Sequence, residues 1–137
     1  AAGEALLVFP EGVRGLNKPF KERYRLRRFG LGFMRLALEA GAPVVPCGVV
    51  GAEEQAPALV DVKPLARLLG FPAFPLTPTI LPLPLPSRYR VLFGEPMRFT
   101  GSPDEEDAEL ERKVAEVEGA VRALLDRGLA DRRSVYL

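Results

Sequence analysis

The stretch Phe9-Pro10-Glu11-Gly12-Val13-Arg14-Gly15 sets a carboxylate and a guanidinium close together on a glycine-flanked turn. Glycine lets a backbone approach a ligand closely, Arg14 can fork onto a phosphate or carboxylate, and Glu11 can accept a hydrogen bond from a hydroxyl or lock the arginine. A Glu–Arg pair that only buttresses the turn is the structural alternative. Further along, Arg23, Arg25, Arg27 and Arg28 are interleaved with Phe20, Tyr24 and Phe29. The chain of 137 residues has no histidine, so no mechanism that needs an imidazole base, a Ser-His or Cys-His nucleophile pair or a histidine metal ligand can be completed inside it. Its one cysteine, Cys47, rules out an internal disulfide and a paired-cysteine zinc or redox site, and its apolar context without a base makes it a core thiol. No metal site and no cofactor is expected.

The net charge of +1 gives no global case for nucleic acid, but the charge is unevenly spread. Eight basic residues and one acid, Glu22, lie between Arg14 and Arg35, a local net of +7. Eight acids, with only Arg112 and Lys113 to offset them, lie between Asp104 and Glu118, a local net of −6. The acidic run fits a solvated face matched to the positive end of a helix dipole. For the basic run a single cluster in a neutral chain is a weak nucleic-acid signal. A solvated helix lead-in, or attraction to anionic lipid or to the phosphates of a coenzyme, suits it better.

The elements that must position these residues form one domain, since 137 residues with 47% hydrophobic and 27% charged content suit a single core. Ala5 to Phe9 is an uninterrupted apolar run stopped by Pro10 and Gly12, the pattern of a central strand buried on both faces. Val44 to Gly51 is a second run, interrupted by Pro46 and so expected near a sheet edge or at a bulge. Phe29, Phe33, Leu36, Ala37 and Ala40 recur between them at helical spacing, with Gly41 and Pro43 as the stop, which predicts a right-handed βαβ unit. Val91 to Phe93 is a third strand. Ser102, Pro103 and Glu105 read as a capping box for a helix whose apolar face is Leu110, Val114, Val117, Val121 and Leu124, closed by Gly128. The class is α/β, a mostly parallel or mixed sheet with flanking helices. Leu68 to Pro86 is 19 residues without a charge, but its six prolines, each costing about 3 kcal/mol in a helix interior, forbid a spanning helix. The segment is extended or looped, either over the core or at a membrane interface. The N-terminus has no signal-peptide pattern, and a start without Met, almost inside a strand, reads as a piece of a longer protein.

FPEGVRG resembles the FPEGTRS-type third motif of the lysophospholipid/glycerolipid acyltransferase family, the 1-acylglycerol-3-phosphate acyltransferase-like superfamily. APVVPCGVV resembles that family's fourth motif, at the expected distance beyond a helix, and RVLFGEPM resembles its late strand. RYRLRRFGLGFMRLALEAG and the following GAEE look like its bacterial monoacylglycerol/diacylglycerol acyltransferase-like branch. These blocks occur in order and cover most of Ala5 to Met97.

The resemblance implies a partial glycerol-3-phosphate-acyltransferase-like fold over residues 1–137, the C-terminal portion of one acyltransferase domain. It implies transfer of a fatty acyl group from acyl-CoA or acyl-carrier protein to a glycerolipid or lysophospholipid hydroxyl. In that family a His and an Asp separated by four residues supply general-base catalysis, the Asp orienting the His, without a covalent enzyme intermediate. That motif and the second, acceptor-binding one precede FPEG and are absent from this sequence, so the isolated chain is expected to be inactive. Glu11, Gly12 and Arg14 carry over as acceptor-binding residues, with Arg14 facing an anionic head group. Val13 and Gly15 stand where Thr and Ser are commoner, and the loss of two hydroxyl donors points towards a neutral or differently charged acceptor. Val45 and Pro46 match the fourth motif in a packing role, and Arg25, Arg27 and Arg28 are candidates for donor or membrane contact. The implied location is the cytoplasmic face of a membrane, held peripherally, or the cytoplasm. A non-catalytic lipid-binding module on the same scaffold is the alternative.

Overall fold

The computed structural model describes residues 3–12, 22–52, 60–61, 75–76 and 88–132. Its elements run α1 (Gly32–Ala40), β1 (Cys47–Val50), β2 (Val60–Asp61), β3 (Pro75–Leu76), β4 (Arg90–Phe93) and α2 (Asp107–Ala130). Arg14 and all of Leu68 to Pro86 except the short strand β3 lie outside the described residues, as do Val13 and Gly15.

The 24-residue helix α2 organises the molecule. Its leucines and valines at steps of three and four make one apolar stripe. The N-terminal part of the stripe (Leu110, Val114, Val117) joins Phe29 and α1 residues Met34 and Leu38 in one buried cluster. The C-terminal part (Leu124, Leu125, Gly128) lies over β1 and β4. Gly128 does not end the helix as its residue type suggested. It sits inside α2, and a Cβ there would come within 2.8 Å of both Leu92 and Val50, so the missing side chain lets the helix approach the strands.

The capping residues act one turn earlier than expected. Ser102 N–H donates to Glu105 Oε1 (3.1 Å), and Asp104 N–H donates to Ser102 Oγ (3.2 Å). These reciprocal bonds close a separate turn, and α2 begins at Asp107 behind it. α1 ends as its glycine predicts. Gly41 takes a left-handed conformation (φ 59°), and Ala42 N–H reaches back to the Ala37 carbonyl (3.0 Å), the longer bond of a Schellman cap. Its buried face is Met34 and Leu38, whereas Leu36 is 52% exposed.

The sheet departs from the expectation. β1 pairs antiparallel with β4, with Cys47 opposite Phe93 and Val49 opposite Val91, and β2 pairs antiparallel with β3. A bridge between Val44 and Met97 continues the first pairing beyond Pro46. Among the described residues no strands run parallel. Ala5 to Phe9 forms no strand, with Leu6, Leu7 and Phe9 each more than 70% exposed. The expected βαβ unit is therefore not formed here, because the first run has no paired neighbour to bury it among the described residues. One sheet face, with Val50 and Gly48, packs under α2. The other carries Val49, Val91 and Phe93, exposed to solvent.

Candidate functional site

The turn singled out by its chemistry is well defined at its start. Gly12 N–H bonds to the Phe9 carbonyl (3.0 Å), closing a turn with Pro10 and Glu11 at its centre. Proline presets the first central position and Glu11 needs no positive φ, which is the geometry of a type I turn. Gly12 follows at φ 57°, where a side chain would be strained. Gly30 N–H donates to the Pro10 carbonyl (2.9 Å) and so fastens this turn to the residues that lead into α1.

That hydrogen bond sets up an open hollow of about 540 Å³ lined by Pro10, Glu11, Gly12, Arg28, Phe29 and Leu31, with Glu111 from α2. Glu11 Oε2 is shielded from solvent. Arg28 pairs with Glu111 at 2.5 Å. The partners are held from beneath: Phe29 and Leu110, next to them in sequence, belong to the same buried cluster. The buried pair fixes where the charged pair stands.

The three arginines grouped in the sequence have different surroundings. Arg28 is in the hollow, Arg27 pairs with Glu22, and Arg25 is exposed. Arg35, further into the basic run, pairs with Asp107 at 2.7 Å and also donates to the Pro103 carbonyl. The basic and acidic stretches thus meet in space through Arg28–Glu111 and Arg35–Asp107. The basic segment is also tied to the sheet, since Gly51 N–H donates to the Tyr24 hydroxyl (2.7 Å) and the Arg132 guanidinium lies 6.0 Å from the centre of the Tyr24 ring.

Pro46 is buried against Gly94, its carbonyl accepting the Gly94 N–H at 2.9 Å, whereas Val45 is 47% exposed. Neither lines the hollow. Cys47 is half-buried at the start of β1. Among the described residues no cluster of acidic or cysteine side chains could hold a metal ion, and no helix is long and apolar enough to cross a membrane. Glu111 and Tyr24 were not among the candidates that the sequence supplied. The opposite charges of two distant stretches were the only signal pointing to Glu111.

What the arrangement can do is bind. An acidic turn with an accessible backbone faces a guanidinium across an open hollow, which suits a ligand carrying both a hydroxyl and an anionic group.

Uncharacterized proteins of Mycobacterium tuberculosis, Mycobacterium bovis and Mycobacterium leprae are each 46% identical to the chain over 147 aligned positions. The alignments take in 99% of this chain but only 40% or 41% of each relative, so the chain spans about two-fifths of the length of the curated relatives it matches. No solved structure matches it. Residues 1–50, which hold the Phe9–Gly12 turn, Arg28, α1 and β1, match the family model described as Acyltransferase, and this match supports the acyltransferase superfamily for the chain.

Proposed function

We propose that the chain is the acceptor-binding, C-terminal part of a membrane-associated acyltransferase that moves a fatty acyl group from acyl-CoA or acyl-carrier protein to a glycerolipid or lysophospholipid hydroxyl. The observation that carries this reading is the family match over residues 1–50, because it contains the turn at Glu11 and Gly12 and the arginine that shares its hollow. Acyl transfer requires removal of a proton from the attacking hydroxyl. The family resemblance makes that base a histidine, and because the sequence has none, this reading assigns it to residues beyond these 137. The chain's share of the work is to hold the acceptor: Glu11 accepts a hydrogen bond from an acceptor hydroxyl, Gly12 lets the backbone come close, and Arg14 and Arg28 supply positive charge. The finer assignment to a bacterial glycerolipid branch and to a glycerol-3-phosphate-acyltransferase-like fold rests on the sequence blocks from Ala5 to Met97.

The test is acyl transfer by the full-length protein from radiolabelled acyl-CoA, and separately from acyl-carrier protein, to monoacylglycerol and to lysophosphatidate. Labelled diacyl product from the full-length protein and none from residues 1–137 alone is expected. Lipid binding without transfer from either donor would replace the enzyme with a non-catalytic lipid-binding module.

A further inference from the structure

Tyr24 stands in a backbone conformation that its residue type does not favour. Arg25 N–H donates to the Glu22 carbonyl (3.1 Å) and closes a four-residue turn, in which Tyr24 takes the third position at φ 61°. Among the described residues no other non-glycine residue has a positive φ. Glycine adopts this conformation freely, and tyrosine is strained in it. Resting on the acceptor-binding reading above, we infer that Tyr24 is a positioning residue for the acyl acceptor: it holds the segment that forms one wall of the hollow.

The strain is held by contacts that a glycine could not make. The Tyr24 hydroxyl accepts the N–H of Gly51, buried just past β1, at 2.7 Å, and Arg132, just past α2, lies 6.0 Å from the centre of its ring. A buried N–H without an acceptor is costly, and an arginine over an aromatic face adds attraction, so one side chain ties the turn to the ends of a strand and a helix. Tyr24 is also one end of a suspended segment. The other end is Phe29, buried in the shared core, and between them Arg25, Arg27 and Arg28 are exposed while Leu26 is partly buried. The ion pairs of Arg27 and Arg28 are solvent-exposed and hold the segment only weakly. The segment leads directly into the site. Arg28, Phe29, Gly30 and Leu31 line the hollow, and Gly30 N–H donates to the Pro10 carbonyl at the turn that carries Glu11 and Gly12. Phe29 therefore fixes where this wall stands, and Tyr24 fixes the direction from which it enters. Without the hydroxyl and the ring, residues 25–28 lose their anchor on the sheet. Tyr24 does not line the hollow, so it acts through this segment and not on the acceptor itself.

The test compares full-length wild type with Tyr24→Phe, Tyr24→Ala and Tyr24→Gly in acyl transfer to monoacylglycerol and to lysophosphatidate. Acceptor is varied at saturating donor, then donor at saturating acceptor, and melting temperatures are taken alongside. Acceptor KM should rise about threefold to tenfold in Tyr24→Ala and Tyr24→Gly, and less in Tyr24→Phe, which keeps the ring, while kcat and donor KM stay within about twofold. Tyr24→Gly should melt at or above Tyr24→Ala, because glycine relieves the positive φ, and yet bind the acceptor no better. A residue that only stabilised the fold would make acceptor KM follow the melting temperature. Unchanged acceptor KM in the folded variants, equal rises in acceptor and donor KM, or recovery of acceptor KM together with stability in Tyr24→Gly would overturn the inference. Should the Ala and Gly variants fail to fold, Tyr24→Phe decides: a raised acceptor KM with donor KM unchanged upholds it, and an unchanged acceptor KM overturns it. Calorimetric titration of the same proteins with the same two acceptors in nonionic micelles separates the inference from the function. The expected ranking of affinities in a protein that transfers nothing would uphold the inference and sink the enzyme, transfer without that ranking would do the opposite, and a wild type that binds neither acceptor would overturn both.

Discussion

Gly51→Ala probes the joint that fixes the basic segment to the sheet. Gly51 is buried at the end of β1 with φ 108°, a conformation that side-chain-bearing residues rarely adopt, and holding a non-glycine residue there costs about 1–3 kcal/mol. A Cβ at this position would stand 2.1 Å from the Arg88 carbonyl oxygen and 2.8 Å from its carbon. Both atoms are backbone, so no rotamer change relieves the overlap, and residues 88–90 must move away from β1 at the cost of the β1–β4 register. The displacement also disturbs the bond from Gly51 N–H to Tyr24 Oη, worth about 1 kcal/mol. Together these give about 2–4 kcal/mol of destabilisation, or a Tm lower by roughly 10 °C. Urea unfolding of the chain followed by circular dichroism measures it. Tyr24→Phe, which removes the hydroxyl but leaves the ring under Arg132, should cost only about 1 kcal/mol. A Gly51→Ala midpoint within about 0.5 kcal/mol of wild type would refute the reasoning, because it would mean that Arg88 does not lie against Gly51.

Leu110→Ala removes a fully buried side chain shared by α1, α2 and Phe29, and should lower unfolding stability by about 2–5 kcal/mol in the same assay. The ion pair with Lys113, then the Ser102 N–H bond, hold the Glu105 carboxyl below its usual value of 4.5. A depressed folded-state pKa contributes stability that is present above the unfolded value and lost as pH falls through the folded one. The stability gap between wild type and Glu105→Gln should therefore be constant near neutral pH and shrink below pH 4.5, and a gap that ignores pH would remove this pairing from the account. The proposed membrane contact joins the Leu68 to Pro86 segment with the basic run. Binding to anionic vesicles should weaken with salt but not vanish, Arg25, Arg27 and Arg28 changed to Gln removing the salt-sensitive part and Leu81, Leu83 and Leu85 changed to Ser the rest. Co-sedimentation across a salt series reads both, and a chain that stays in the supernatant at low salt with excess anionic lipid would assign the contact elsewhere.

The parts of the fold that were legible in the sequence are those decided by short-range chemistry. The α2 stripe from Leu110 to Leu124, the Gly41 stop and the strand around Val91 to Phe93 each follow from periodicity or from a residue with one steric role. The sheet was not legible. An apolar run such as Ala5 to Phe9 states that its residues need burial, but strand direction and pairing depend on which neighbour covers it, and β1 pairs with β4, with residues 51–89 between them. Gly128 failed as a stop for a related reason, since a glycine required for close packing and one required for a left-handed turn look alike in one dimension. The site was half legible. Glu11, Gly12 and Arg28 stood out by type and spacing. Glu111 sits in an acidic run whose solvated, dipole-matched reading accounts for its neighbours Asp107 and Glu109, and only the burial of Phe29 and Leu110 in one shared cluster carries it to the hollow.

The central claim is that the Phe9–Gly12 turn is the acceptor-binding edge of an acyltransferase, and acceptor saturation kinetics test it most directly. Initial rates of acyl transfer by the full-length protein would be measured with the lipid acceptor varied at saturating donor, for wild type, Glu11→Gln, Arg14→Ala and Arg14→Lys, with melting temperatures taken alongside. The account predicts kcat/KM for the acceptor reduced by about tenfold or more in Glu11→Gln and Arg14→Ala at unchanged melting temperature, with Lys restoring only part of the loss because it lacks the guanidinium fork. Unchanged acceptor kinetics in folded Glu11→Gln and Arg14→Ala would contradict it and leave the turn a structural one.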